Sequence, residues 1–179
     1  MPDLAIDSYD DLVTTIRAYH YNRADLATAV PVHIRLFEAK ANRTLLTRQM
    51  EVRSYTDVLE APAEPAYISL PSDFQSMRRL RLIDPDDGVT RGAPLKFRTQ
   101  YQLDDIREAQ LETGDPVYFT IFGDEMELYP EPSYPLRLEM VYRANLTPLS
   151  TSEQTNWLLE QAPDAYLYGA LMEAAPYMR

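Results

Sequence analysis

Val117-Tyr118-Phe119-Thr120-Ile121-Phe122-Gly123-Asp124-Glu125-Met126-Glu127-Leu128 is the stretch from which the fold class follows. Its first six residues are aromatic or β-branched, the side chains that fit a pleated, half-buried surface. Gly123-Asp124 makes a tight two-residue turn, because glycine enters left-handed backbone without a Cβ clash. Beyond the turn, Met126 and Leu128 alternate with Glu125 and Glu127, the period of two that lines one sheet face with apolar groups. Leu136, Leu138, Met140 and Tyr142 continue that alternation downstream, and Leu80 and Leu82 alternate with Arg79 and Arg81 upstream. Nine prolines between Pro62 and Pro135 exclude long helices from this region. It predicts three or more antiparallel strands with one face buried, and a small helix over Gln102–Leu111 carrying Leu103 and Ile106.

The flanks read differently. Ser8 caps a first helix, with Asp10 and Asp11 at the positive end of its dipole. Tyr9, Leu12, Val13 and Ile16 recur at helical spacing to give one apolar face. Asn22 and Arg23-Ala24-Asp25 mark a stop and a new start. Pro31 suits the first turn of a second helix, whose stripe is Val30, Ile34, Phe37, Ala41 and Leu45. At the other end, Thr155-Asn156 precedes Trp157-Leu158-Leu159, and Pro163 with Asp164 restarts a helix striped by Leu167, Ala170, Leu171 and Ala174. The expected architecture is α+β: a helical bundle from residues 1–49 and 146–179, with an antiparallel β domain, 50–145, inserted between them in one folding unit.

Composition narrows the classes. The 179 residues suit one compact domain, and 45% hydrophobic with 25% charged residues is the balance of a soluble globular protein. No apolar run is long enough to span a bilayer, and the N-terminus has no signal-peptide pattern. Zero cysteines exclude disulfides, thiol chemistry and cysteine-ligated metals, and fit folding in a cytoplasm. The net charge is −11, which opposes sequence-reading of nucleic acid. The acidic excess lies in the middle and at the end, since residues 1–49 carry six acidic and six basic side chains.

Catalytic and metal motifs are absent from this pattern. His20 and His33 have no ligand partner at i+3 or i+4 and read as histidines of helix surfaces or packing seams. Asp84-Pro85-Asp86-Asp87-Gly88 fails the calcium-loop spacing, its glycine one position early and Leu95 in place of the bidentate glutamate. Five glycines support no phosphate loop. Paired carboxylates such as Asp104-Asp105 and Asp124-Glu125 read as turn and helix-start charges. Arg78-Arg79-Arg81 reads as a solvated or ion-paired strand face. Trp157, Tyr166, Tyr168 and Tyr177 leave two readings: contact residues, or a helix packed with its aromatic edges exposed. No cofactor, metal or catalytic residue is assigned.

The ordered set of segments resembles a known family. Asn156-Trp157-Leu158-Leu159, Ala162-Pro163-Asp164-Ala165-Tyr166-Leu167-Tyr168-Gly169-Ala170-Leu171 and Glu173-Ala174-Ala175-Pro176-Tyr177 are similar to the C-terminal signature of head-to-tail adaptor (connector) proteins of tailed bacteriophages. Val117–Gly123 with Leu128-Tyr129-Pro130 and Pro132, Leu70-Pro71-Ser72-Asp73-Phe74, Asn22-Arg23 with Asp25-Leu26, Val32 to Asn42-Arg43, and Met50-Glu51 follow the family's order.

The resemblance implies a structural virion protein and not an enzyme. It would sit at the head–tail junction after assembly in the bacterial host cytoplasm. It implies a homo-oligomeric, twelve-fold ring beneath the portal protein, carrying tail or nozzle proteins and extending the channel through which DNA passes without sequence-specific binding. Within such a ring, Trp157, Leu158, Tyr166, Tyr168 and Tyr177 are expected at subunit or portal contacts. Asp86, Asp87, Asp124, Glu125 and Glu127 are expected along an acidic lumen. The helical part would face the portal and the β part the tail. The family continues past the segment equivalent to Pro176, whereas this chain stops at Arg179, so it is either short or lacks its end. A tail-completion or neck protein, and a small carboxylate-based enzyme or ligand-binding domain, are the rival readings.

Overall fold

The computed structural model describes residues 6–20, 28–57, 59, 67–84, 88, 91–109 and 114–177, with 91 and 177 by backbone alone. Among these, the helices are α1 (Tyr9–Tyr19), α2 (Val30–Thr44), α3 (Gln100–Ala109), α4 (Trp157–Gln161) and α5 (Pro163–Ala174). The strands are β1 (Glu51–Tyr55), β2 (Tyr67–Ser69), β3 (Phe74–Ile83), β4 (Arg91–Pro94), β5 (Lys96–Phe97), β6 (Tyr118–Phe122), β7 (Glu125–Tyr129) and β8 (Arg137–Ala144). The fold is mixed α+β, and the chain divides into two compact units, Met1–Met50 with Asn145–Arg179, and Glu51–Ala144.

In the helical unit local chemistry sets the ends of the elements. The Ser8 hydroxyl accepts from the Asp11 amide at 3.1 Å, and Asn156 accepts from the amides of Leu158 and Leu159. Each cap satisfies donors that a helix start leaves unpaired. Pro31 and Pro163 sit in the first turns of α2 and α5. Tyr9, Leu12 and Ile16 from α1 meet Val30, Ile34 and Ala41 from α2 and Leu158, Leu159, Tyr166, Leu167 and Ala170 from α4 and α5 in one core. The proposed stop and restart at 22–25 lies outside the described residues.

The β unit is two four-stranded sheets, β1-β8-β3-β4 and β2-β7-β6-β5, on one apolar core that includes Leu80, Phe119, Met126, Leu128, Leu138 and Met140. Gly123 has φ +63°, and Phe122 pairs with Glu125 across a two-residue turn, so the hairpin forms as its sequence predicts. The antiparallel expectation holds with one short exception, and the expected solvation of the polar strand positions needs correction. The pairing is antiparallel except that β5 runs parallel to β6 for two residues, a contact set by chain return and not by local pattern. The polar positions of β7 and β8 are also not all solvated: Glu127 and Glu139 are buried. Helix α3 packs on β6 and brings Arg107 onto Glu127, while Arg79 bonds Glu139 at 3.3 Å.

Candidate functional site

The C-terminal aromatics were candidates for contact, and the structure separates them. Tyr166 is fully buried, its ring edge-on to Phe37 at 5.1 Å. The Asn156 side-chain amide donates to its hydroxyl at 2.6 Å and to the Thr147 carbonyl at 2.7 Å. The Tyr166 hydroxyl donates in turn to Glu38 Oε1 at 3.1 Å, and that oxygen also accepts from the Leu149 amide at 2.8 Å. Burial holds the Glu38 carboxyl above the usual carboxylate range, against the opposing pull of Leu149, Tyr166 and Arg35. Burial, with the Glu38 charge nearby, pushes the Tyr166 phenol up as well.

This arrangement corrects the expected roles. A ring with no exposed surface touches no neighbour, so Tyr166 is a core residue. Leu158, 6% exposed, belongs to the same core, and Trp157 packs half-buried against it. Tyr168 is different: it is 56% exposed on α5, and Met172, one helical turn on, is 67% exposed. The Tyr177 side chain lies outside the described residues. Beside Met172 an open apolar groove runs between α2 and α5, lined by Phe37, Ala41, Leu45, Leu158 and Gly169. Gly169 lets the helices close in, since a Cβ there would stand 2.2 Å from Phe37 Cδ2.

The acidic candidates divide the same way. Asp124 and Glu125 are exposed at the hairpin tip. Glu127 is buried under Arg107, whose guanidinium also lies 5.5 Å from the Tyr129 ring centre, and it presents no charge to a lumen. Asp86 and Asp87 lie outside the described residues. Sequence pattern missed Glu38, Glu139 and Arg107. Each sits at a position that looks solvated along its own element and is buried or paired by a distant one.

Arg78 and Arg79 are ion-paired, with Glu51 at 3.2 Å and Glu139 at 3.3 Å. His20 and His33 are both buried, and burial with the neighbouring His20 pulls the His33 imidazole down. Among the described residues no three histidine, aspartate or glutamate side chains gather where a metal would sit. No helix of the described residues is long and apolar enough to cross a membrane. What the geometry offers is surface: an exposed aromatic–thioether strip on α5, an acidic hairpin tip and charged sheet faces.

The described residues form a two-unit α+β chain with exposed apolar and charged surfaces, and its family gives its class, a bacteriophage adaptor. Residues 7–179 match the family described as SU10 adaptor protein, and the chain belongs to that family. The match runs through both units, and the family places the chain among structural virion proteins of the head–tail junction. None of the curated proteins matches the chain.

Proposed function

We propose that this chain assembles as a closed ring of twelve copies between the portal and the tail, and that the ring extends the channel through which DNA leaves the head. The observation that carries this reading is the family match across 7–179, which takes in the helical unit and the β unit alike. Weak contacts between neighbours suffice in a ring, because each subunit is held twice and at high effective concentration. Tyr168 and Met172 are assigned to portal or subunit contact, with Trp157 supporting them from the core edge. Asp124 and Glu125, together with Asp86 and Asp87, are assigned to the channel wall, where carboxylates repel phosphates and let the duplex slide. The β unit faces the tail.

Native mass measurement of the chain mixed with the portal ring of its own phage tests this. One adaptor per portal subunit is the expected stoichiometry. A monodisperse monomer beside an unoccupied portal overturns the reading.

A further inference from the structure

The sheet β1-β8-β3-β4 has one face on the core and another that is strongly basic. Register places Arg53 opposite Val141, Arg79 opposite the same residue from the other side, and Arg81 opposite Glu139. Arg137, Glu139, Val141 and Arg143 therefore share a face with Arg53, Arg79 and Arg81, while Leu138, Met140 and Tyr142 point into the core. Arg78, in a bulge of β3, reaches Glu51 on β1. Among the described residues six arginines thus share this side of the sheet with two glutamates, Glu51 and Glu139, in a chain whose net charge is −11. Glu139 bonds Arg79 and Glu51 bonds Arg78. The buried side-chain Nε atoms of Arg79, Arg81 and Arg143 have no hydrogen-bond partner.

The same unit carries a complementary surface. At about 100° per residue, Leu103, Ile106 and Arg107 of α3 fall on one side and Tyr101, Asp104, Asp105 and Glu108 on the other. Leu103 is buried, whereas all four of the latter are exposed, Tyr101 at 76%. An acidic helix face with one free phenol ring is what guanidinium groups bind, through forked carboxylate bonds and stacking. Arg107 already does this within the unit, on Glu127 and Tyr129.

We propose that the arginine face of the β1-β8-β3-β4 sheet in one copy receives the outer face of α3 from the next copy. The two surfaces are different patches of one chain, so the contact is head-to-tail and closes into a ring or runs on as a filament. The proposal rests on the ring reading above and names its subunit interface. Its rival is duplex DNA, which the arginines would also attract; the chain's strong net negative charge favours the protein partner.

The test uses two charge-reversed chains of full length, R53E/R81E and D105K/E108K. Arg79 and Asp104 stay intact because they pair with Glu139 and Arg107. Sedimentation of wild type should show oligomers at low salt that dissociate as salt rises. Each variant alone should lose at least about tenfold in association, roughly 1.4 kcal/mol. An equimolar mixture should recover it, since each reversed surface then faces its opposite. Circular dichroism and melting curves confirm that both variants fold. Three results overturn the proposal: rings that form equally in all samples, which leave the ring reading standing; wild type monomeric at every salt and on the portal, which removes both; and duplex binding lost in R53E/R81E with assembly unchanged, which gives the face to DNA.

Discussion

The Tyr166 hydroxyl donates to Glu38 Oε1 at 3.1 Å across 128 positions of sequence, joining α5 to α2 inside the helical unit. Because the same oxygen accepts from the Leu149 amide, one carboxyl on α2 holds two points of the chain that follow the β unit. Removing one partner leaves the others buried and unsatisfied, which costs about 1–3 kcal/mol per group. Tyr166→Phe should therefore destabilise by about that amount in urea titration, and Glu38→Ala by more. A Tyr166→Phe chain as stable as wild type sinks the network.

Glu38 also sets a pH response. Its carboxyl is held above the ordinary 4.5 by burial, so the folded chain binds that proton more tightly than the unfolded one. Stability from this group is greatest when it is protonated and falls as pH rises from about 4.5 through the raised value. His33, pulled down by burial, acts with the opposite sign and loses stability as pH falls below its ordinary 6.5. Glu38→Gln keeps an acceptor for Leu149 and Tyr166 and removes the titration. The difference in unfolding free energy, Gln variant minus wild type, should therefore grow more positive between pH 4 and 7. A flat difference rejects the shift.

How much of this was legible beforehand follows the range of the forces. Ser8, Pro31, Asn156 and Pro163 act within four residues of themselves, and the helices start where those residues stand. The Gly123-Asp124 turn is equally local. Tyr166, Glu127 and Glu139 defeat the same reading because their surroundings come from elsewhere: Glu38 and Asn156, then Arg107 of α3, then Arg79 of β3. A tyrosine on an amphipathic helix and a glutamate in an alternating strand carry no sign of such partners. Residue type alone singles out Tyr168 and passes over Met172, and it does not tell the exposed Tyr168 from the buried Tyr166.

Gly169 offers a sign test of helix packing. Glycine to alanine within a helix ordinarily gains about 0.8–1.0 kcal/mol. Here the new methyl would lie 2.2 Å from the Phe37 ring, and overpacking of that kind costs about 1–3 kcal/mol. Gly169→Ala should be destabilising in the wild-type background and stabilising in Phe37→Ala, where the ring is gone. The same sign in both backgrounds, by thermal melts of the four chains, excludes the close approach.

Arg107 of α3 and Glu127 of β7 form a part-buried pair. Arg107→Leu strands a carboxylate that is 11% exposed, but Arg107 itself is 35% exposed, so the loss should fall below the roughly 3–5 kcal/mol of a fully buried pair. The double variant Arg107→Leu/Glu127→Leu removes both charges and should regain most of that loss. If Arg107→Leu alone is neutral in denaturant titration, α3 is not held by this pair.

The α5 surface separates assembly from folding. Tyr168 and Met172 are exposed, so truncating them removes little that the monomer buries, and surface changes usually stay within about 0.5 kcal/mol. Tyr168→Ala/Met172→Ala should melt like wild type and yet lose most of its association with the portal, since truncated aromatic anchors commonly cost about 2 kcal/mol or more. Trp157→Ala, by contrast, opens a half-buried site against the helical core and should lower both the melt and the association. The ratio of the two readouts decides the assignment. Association lost in proportion to stability in both variants makes the α5 strip ordinary surface and moves the contact elsewhere. Association lost at full stability in the Tyr168/Met172 variant alone fixes α5 as the face that meets a partner.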